Sequence, residues 1–455
     1  MRKNRNLAII VLILLAVFAG AYVAYDRIYL PAKYRRLTQK ILTAAIGNLD
    51  RDRLSGQPIH IAIPGTELTE QSRKAITDLK PGGIIFFGFN LENAEQIARL
   101  TQDLQKLAAE LGLPPFLIST DQEGGYVRRV RDGVLQTPPA RDLGATGDRE
   151  LCRATGYHVS RDLGKLGINV FFAPIVDINN NPENPVIGLR SFGSTLDAVL
   201  ACALPFEQGA RLAYAEGGAM PVIKHFPGHG DTRTDSHWSL PVIDKSLETL
   251  RNFELVPFRD AVTNGAQAVM TAHILYPQID AEHPATLSAK WLNGTLRGEL
   301  GFSGLVFTDA MEMNAVSQNF KTLDRPVTAI NAGADVLLYT SWQEEPPEAK
   351  SRIAAAIEAG SLTLNRDQEG KPVSLLRAVE NQLRAKLPLL DLAKYLSPEE
   401  LGWYKSYSAR LSGAKQPLPV TYTEEQLAKR YAEIAWSAKK KRGGPIWLAG
   451  GKNNK

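Results

Sequence analysis

Apolar positions along the chain fall into two regimes. Residues 7–25 (LAIIVLILLAVFAGAYVAY) carry no charge and follow Arg2, Lys3 and Arg5. From residue 58 onward, apolar residues come in short β-type runs separated by longer helical patterns. The runs cover 59–63, 83–87, 116–120, 169–175, 221–224, 268–272, 305–308 and 335–339, and stretches such as NAEQIARLTQDLQKLAAELG and LDAVLACALPFEQGARLAYAEG lie between them. Strands that alternate with helices and are apolar on both faces imply a parallel sheet covered by helices. Eight such units predict an α/β chain whose strands close into a (β/α)8 (TIM) barrel over residues 58–390.

Polar residues cluster at the carboxyl ends of these runs. Asp121 follows the third and Asp177 the fourth; Lys224 and His225 end the fifth; His273 follows the sixth and Asp309 the seventh. A barrel builds its chemistry at that end, whereas a doubly wound sheet gathers its groups at one crevice.

The amino-terminal run is at the lower limit for spanning a bilayer and long for a signal peptide. Ala19-Gly20-Ala21 resembles a cleavage site, yet Val23 and Ala24 continue the apolar run, so a retained anchor is the expectation and a cleaved signal the alternative. The basic start stays in the cytoplasm in both cases. The body is expected to be exported and held at the extracytoplasmic, periplasmic face of the inner membrane. The predicted organisation is an anchor or signal helix over 1–26, a linker over 27–57, the barrel over 58–390, and a helical extension with a basic tail over 391–455. Cys152 and Cys202 sit in separate predicted helices, fifty residues apart, and are expected to be free buried thiols.

Composition adds little beyond exclusions. With 455 residues, 44% hydrophobic and 22% charged, the chain is neither disordered nor a disulfide-stapled miniprotein. The net charge of +5 belongs to the ends. Arg2, Lys3, Arg5, Lys439, Lys440, Lys441, Arg442, Lys452 and Lys455 are nine basic residues in two acid-free stretches; without them 44 basic residues face 48 acidic ones. A nucleic-acid partner has no support from such a body.

The densest chemical signal is KHFPGHGDTRTDSH, residues 224–237. Asp235 and His237 are two apart, so the carboxylate can accept a hydrogen bond from the imidazole, raise its basicity and fix its tautomer. A long polar turn is the plain alternative, and the spacing matches no zinc motif. In LVFTDAMEM, Asp309 ends a buried run and is a candidate nucleophile or electrostatic stabiliser, with helix capping as the plain reading. Glu312, one helical turn on, is the competing carboxylate. Asp121 in STDQEGG, with Arg128 and Arg129 after it, could clamp paired hydroxyls, and Arg190 in VIGLRSFG is a further donor. The segment DINNN at 177–181 begins like a calcium loop, but Pro182 stands where Gly is needed and Gly188 where Glu is needed.

Together, KHFPGHGDTRTDSH, DQEGG, VIGLRSFG and LVFTDAMEM resemble glycoside hydrolase family 3, and within it the single-barrel β-N-acetylhexosaminidases, over roughly residues 58–385. The resemblance implies Asp309 as nucleophile, His237 as acid/base and Asp235 as its partner. It implies Asp121, Arg129, Arg190, Lys224 and His225 as substrate-binding residues. Tyr126 departs from it, because the family usually has Arg there. The implied activity is retaining hydrolysis of terminal N-acetylglucosamine from cell-wall, muropeptide or chitin-like oligosaccharides, with no cofactor, no metal and no obligatory protein partner. A glycoside phosphorylase on the same scaffold and a catalytically silent peptidoglycan-binding scaffold are the alternatives.

Overall fold

The computed structural model describes residues 25–320, 324–414 and 420–442. Internal packing divides the chain into two units, residues 1–48 with 390–417, and residues 49–389 with 418–455. In the described part of the smaller unit, the helices Leu30–Gly47 and Pro398–Ala414 pair. Tyr34 stacks on Tyr404 with ring centroids 4.7 Å apart, Thr38 Oγ1 meets the Tyr404 hydroxyl at 3.1 Å, and Lys40 pairs with Glu400 at 2.6 Å. Residues 1–24, which hold nearly all of the expected anchor, lie outside the described residues. Among the described residues no helix is long and apolar enough to cross a membrane.

In the larger unit every expected apolar run contains a strand. The chain forms β1 (Ile59–Ala62), β2 (Gly83–Phe86), β3 (Leu117–Thr120), β4 (Gln122–Gly124), β5 (Val127–Arg128) and β6 (Val170–Phe171). It continues with β7 (Met220–Pro221), β8 (Ile223–Phe226), β9 (Ala268–Thr271), β10 (Leu305–Phe307) and β11 (Leu337–Leu338). Helices between them start at side-chain caps. Asn93 accepts from Gln96 N ahead of Ala94–Glu110, and Thr195 from Ala198 N ahead of Leu196–Ala215, each satisfying a backbone donor the helix leaves open.

The closed (β/α)8 barrel predicted from the eight runs is not what the strands form. Parallel pairing yields a curled six-stranded sheet in the order β11-β1-β2-β3-β6-β7 and a separate three-stranded sheet in the order β10-β9-β8, an α/β half-barrel with helices. Between the two, strand pairing is limited to isolated bridges, Ile175 with Lys224 and Phe307 with Val336, with a few backbone bonds beside them such as Thr308 N to Val336 O at 2.9 Å. The physical reason lies in the short ladders and in proline. β6, β7 and β11 have two residues each, and Pro174 and Pro221 have no N–H to donate at the break. The register also shifts between Ile223 and Phe226 where β8 meets β9.

One apolar core lies within the curl. Ala62, Ile85, Val170, Val222, Met270, Phe307 and Leu338 are all buried in it, drawn from runs along the whole unit. Burial of this kind contributes about 1.5–3 kcal/mol for each large side chain, so the core fixes the strands whose ends carry the polar residues.

The cysteines also differ from expectation. Cys152 and Cys202 form a disulfide with Cα atoms 5.3 Å apart. The helices Arg149–Lys165 and Leu196–Ala215 touch through glycine: a Cβ on Gly156 would meet Phe206 O at 2.0 Å, and one on Gly209 would meet Arg153 O at 1.9 Å. That close approach brings the two thiols within bonding range.

Candidate active site

Asp309 stands just past β10, where Oδ1 accepts from Ala310 N at 2.8 Å. Desolvation alone would raise its pKa, but nearby His273, His225 and Lys224 outweigh it and hold the carboxyl below its usual range. His273 is itself fixed: Nε2 donates to Ala310 O at 2.9 Å, and Nδ1 lies 2.8 Å from Thr286 Oγ1. The Asp309 carboxylate is therefore ionised and held in place.

A second cluster joins loops distant in sequence. After β3, Gln122 Oε1 accepts from Arg129 N at 3.0 Å and Val130 N at 3.1 Å, which folds β4 and β5 into a small hairpin. This fold turns Glu123 inward, where its side chain is 3% exposed. Arg190 grips Glu123 with two bonds of 2.8 Å, and Lys224 Nζ lies 2.6 Å from Glu123 and 2.8 Å from Asp121. Desolvation would raise the Glu123 pKa, but Arg190 and Lys224 overcome it and push the carboxyl far down. Arg190 and Lys224 shift the opposite way, because their carboxylate partners outweigh burial. Arg129 lies 3.9 Å from Asp121 and over the Phe87 ring, and its buried Nε has no protein partner among the described residues. The result is a ring of fixed charges with hydrogen-bond capacity to spare.

The loop after β8 is held by the segment that begins like a calcium loop. Asp177 accepts from His225 Nδ1 at 2.7 Å, from His225 N at 3.1 Å and from His229 N at 2.7 Å. Asn184 Nδ2 donates to His229 O at 2.9 Å and to Gly230 O at 3.0 Å, while Asn181 Nδ2 donates to Thr232 O at 3.0 Å. His229 is buried, which with its neighbour His225 brings its pKa down to about 4, so it is neutral and bonds to Thr232 and Ser236. These contacts anchor the base of a loop whose far end is open to solvent. There His237 Nδ1 donates to Asp235 Oδ1 at 2.7 Å, and the two side chains are 61% and 28% exposed. With Nδ1 engaged, Nε2 is the nitrogen left for a substrate.

The structure thus brings Asp121, Arg129, Arg190 and Lys224 into one cluster and puts His225 and Lys224 in electrostatic reach of Asp309. His273 interacts electrostatically with both Asp309 and His237, which ties the loop pair to the same end of the strands. Sequence reasoning did not single out Glu123, which sits between Arg190 and Lys224, nor the role of Asp177 in fixing His225. Glu312, the competing carboxylate, is bound to the Thr340 hydroxyl at 2.7 Å, and burial raises its pKa. A groove of about 850 Å³ bordered by Asp52, Lys74, Trp342 and Lys350 lies elsewhere, among the helices Arg51–Gly56, Glu70–Leu79 and Glu345–Glu358. Taken together, an ionised carboxylate, a histidine–carboxylate pair and a cluster of fixed charges suit a two-step displacement at an acetal carbon.

Comparison with known proteins places this geometry in context. The family model described as the glycosyl hydrolase family 3 N terminal domain matches residues 46–370. A β-hexosaminidase of Methylobacillus flagellatus is 34% identical over 67% of this chain and 86% of its own. The solved structure of a glycoside hydrolase family 3 β-N-acetylglucosaminidase from Paenibacillus sp. is 38% identical, with a TM-score of 0.71 over 85% of this chain and 69% of its own. NagZ from Neisseria gonorrhoeae, solved with N-trifluoroacetyl-D-glucosamine, is 29% identical, with a TM-score of 0.57 over 79% and 98% of the two chains.

Proposed function

The chain belongs to glycosyl hydrolase family 3, and from that premise we propose that it is a retaining β-N-acetylhexosaminidase that removes terminal N-acetylglucosamine from cell-wall fragments or chitin-like oligosaccharides. The observation that carries this reading is the pairing of an ionised Asp309 with a His237–Asp235 couple at the same end of the strands. The names of the relatives from Methylobacillus and Paenibacillus support it.

In the first step an Asp309 oxygen attacks the anomeric carbon as the glycosidic C–O bond breaks. His237, protonated at Nε2 with its charge stabilised by Asp235, gives that proton to the departing oxygen. In the second step neutral His237 takes a proton from water, whose oxygen attacks the anomeric carbon and releases Asp309. Asp121, Lys224, Arg190 and Arg129 would hold the sugar hydroxyls, with His225 positioned by Asp177. Glu123 keeps Arg190 and Lys224 in place.

Hydrolysis of a panel of chromogenic β-glycosides, with and without phosphate, tests the reading. N-acetylglucosaminides should be preferred and should yield the free sugar even with phosphate present. Formation of the sugar 1-phosphate would make the enzyme a phosphorylase, and no turnover would favour a silent scaffold.

We also propose that the body works outside the cytoplasm and is held at the membrane by residues 7–25. The uncharged run behind three basic residues supports this, and so does the Cys152–Cys202 disulfide, a bond that persists in oxidising compartments. Recovery of the protein in the cytosol of fractionated cells would overturn export, whereas recovery as a soluble exported species starting near Tyr22 would establish cleavage.

A further inference from the structure

Trp238 directly follows the proposed proton donor, and its ring is not packed away. It is 77% exposed, an unfavourable place for the largest apolar side chain unless a partner covers it. Its position relative to His237 is fixed by the backbone. Trp238 N donates to Asp235 O at 3.0 Å and Ser239 N to the same oxygen at 3.1 Å, a turn that holds the carboxylate, imidazole and indole within four residues of one loop.

The rest of the unit points the same way. Among the described residues of this unit the exposed large aromatic side chains are Phe89, Tyr126, Trp238 and Trp436. The first three lie in loops that leave the carboxyl ends of strands, after β2, β4 and β8, and Trp436 lies in the helix Glu424–Arg442. Phe89 stacks on Phe87 at 5.8 Å, and Arg129 lies over the Phe87 ring. Tyr126 interacts electrostatically with Arg190 and Glu123. Three of the four exposed rings therefore lie at the end of the strands that carries the polar residues.

The proton donated by His237 must reach the oxygen that joins the two sugars, so the departing group lies against the residues next to His237. A pyranose presents a face of axial C–H groups carrying slight positive charge, which matches the negative face of an indole. We propose that Trp238 is a specificity-determining residue: its ring is the platform for a pyranose on the leaving-group side, so the enzyme selects sugar-linked over small aglycones. This rests on the reading of His237 as acid/base.

The test compares kcat/KM on N,N′-diacetylchitobiose with that on β-N-acetylglucosaminyl fluoride, whose departing atom offers nothing to stack on. In Trp238→Ala the loss on chitobiose should exceed the loss on the fluoride by about tenfold, carried mainly by KM, since one stacked ring is worth about that factor. Trp238→Phe should restore most of the difference. If the ratio of the two substrates stays within about twofold of wild type in Trp238→Ala, whether both rates fall or neither does, the platform role is overturned. A wild-type enzyme that cleaves neither substrate would overturn the hydrolase reading itself and this proposal with it, a failure distinct from an unchanged ratio.

Discussion

Oδ1 of Asp235 receives two hydrogen bonds from one residue, His237: one from the backbone N at 2.9 Å and one from ring Nδ1 at 2.7 Å. This double contact fixes both the backbone and the tautomer of the imidazole, and under the proposed function Nε2 is the nitrogen that meets the substrate. His237→Ala should therefore slow substrates with poor leaving groups far more than aryl glycosides, whose phenolate departs without a proton. Asp235→Ala should show the same dependence more mildly, because it orients and charges the ring without transferring the proton itself. The measurement is the ratio of rate losses for good and poor leaving groups at one pH. A ratio near unity in His237→Ala would leave it a structural loop residue.

The disulfide should matter to stability more than to chemistry. Cys152 and Cys202 close a loop of fifty residues, for which constraint of the unfolded chain contributes up to about 4 kcal/mol. Reduction, or Cys202→Ser, should lower the thermal midpoint by several degrees while kcat at moderate temperature changes little. A midpoint that does not move on reduction would show that the bond is absent from the purified protein.

Lys386 gives a pH dependence with a definite sign. It is fully buried at the end of the helix Ser374–Lys386, with Nζ 3.4 Å from Gln57 Oε1 and with buried His60 in electrostatic reach. Burial pushes its pKa down to about 7. Because the folded value lies below the unfolded one, the unfolded chain binds the extra proton between them, and this residue makes stability rise with pH through that window. Its contribution should grow by about 2 kcal/mol between about pH 7.5 and pH 9, and Lys386→Met should remove that slope and be the more stable protein at neutral pH. Denaturant melts at the two pH values check this; an equal slope in both proteins would contradict it.

The sequence pattern located the strands well because burial on both faces leaves a local mark, and all eight apolar runs hold one. It could not foresee the missing closure, which depends on two-residue ladders and on proline at the ladder break, and these are matters of pairing rather than of hydrophobicity. The positions of Asp121, Lys224 and Asp309 were legible for the same local reason, since each ends or follows an apolar run. Glu123 was not, because its meaning comes from Arg190, 67 residues away. Fifty residues of separation argued against pairing Cys152 with Cys202, yet Gly156 and Gly209 carried the missing signal: small residues one or two turns from each cysteine let the two helices touch.

The most direct test is to trap the covalent intermediate. A slow substrate such as 5-fluoro-β-N-acetylglucosaminyl fluoride, followed by digestion and mass spectrometry, should place one sugar on the peptide containing LVFTDAMEM, attached to Asp309. Asp309→Ala should take up no label and should lose at least about three orders of magnitude in kcat. Label on Glu312, or an Asp309→Ala enzyme that keeps more than about a tenth of wild-type activity, would contradict the account.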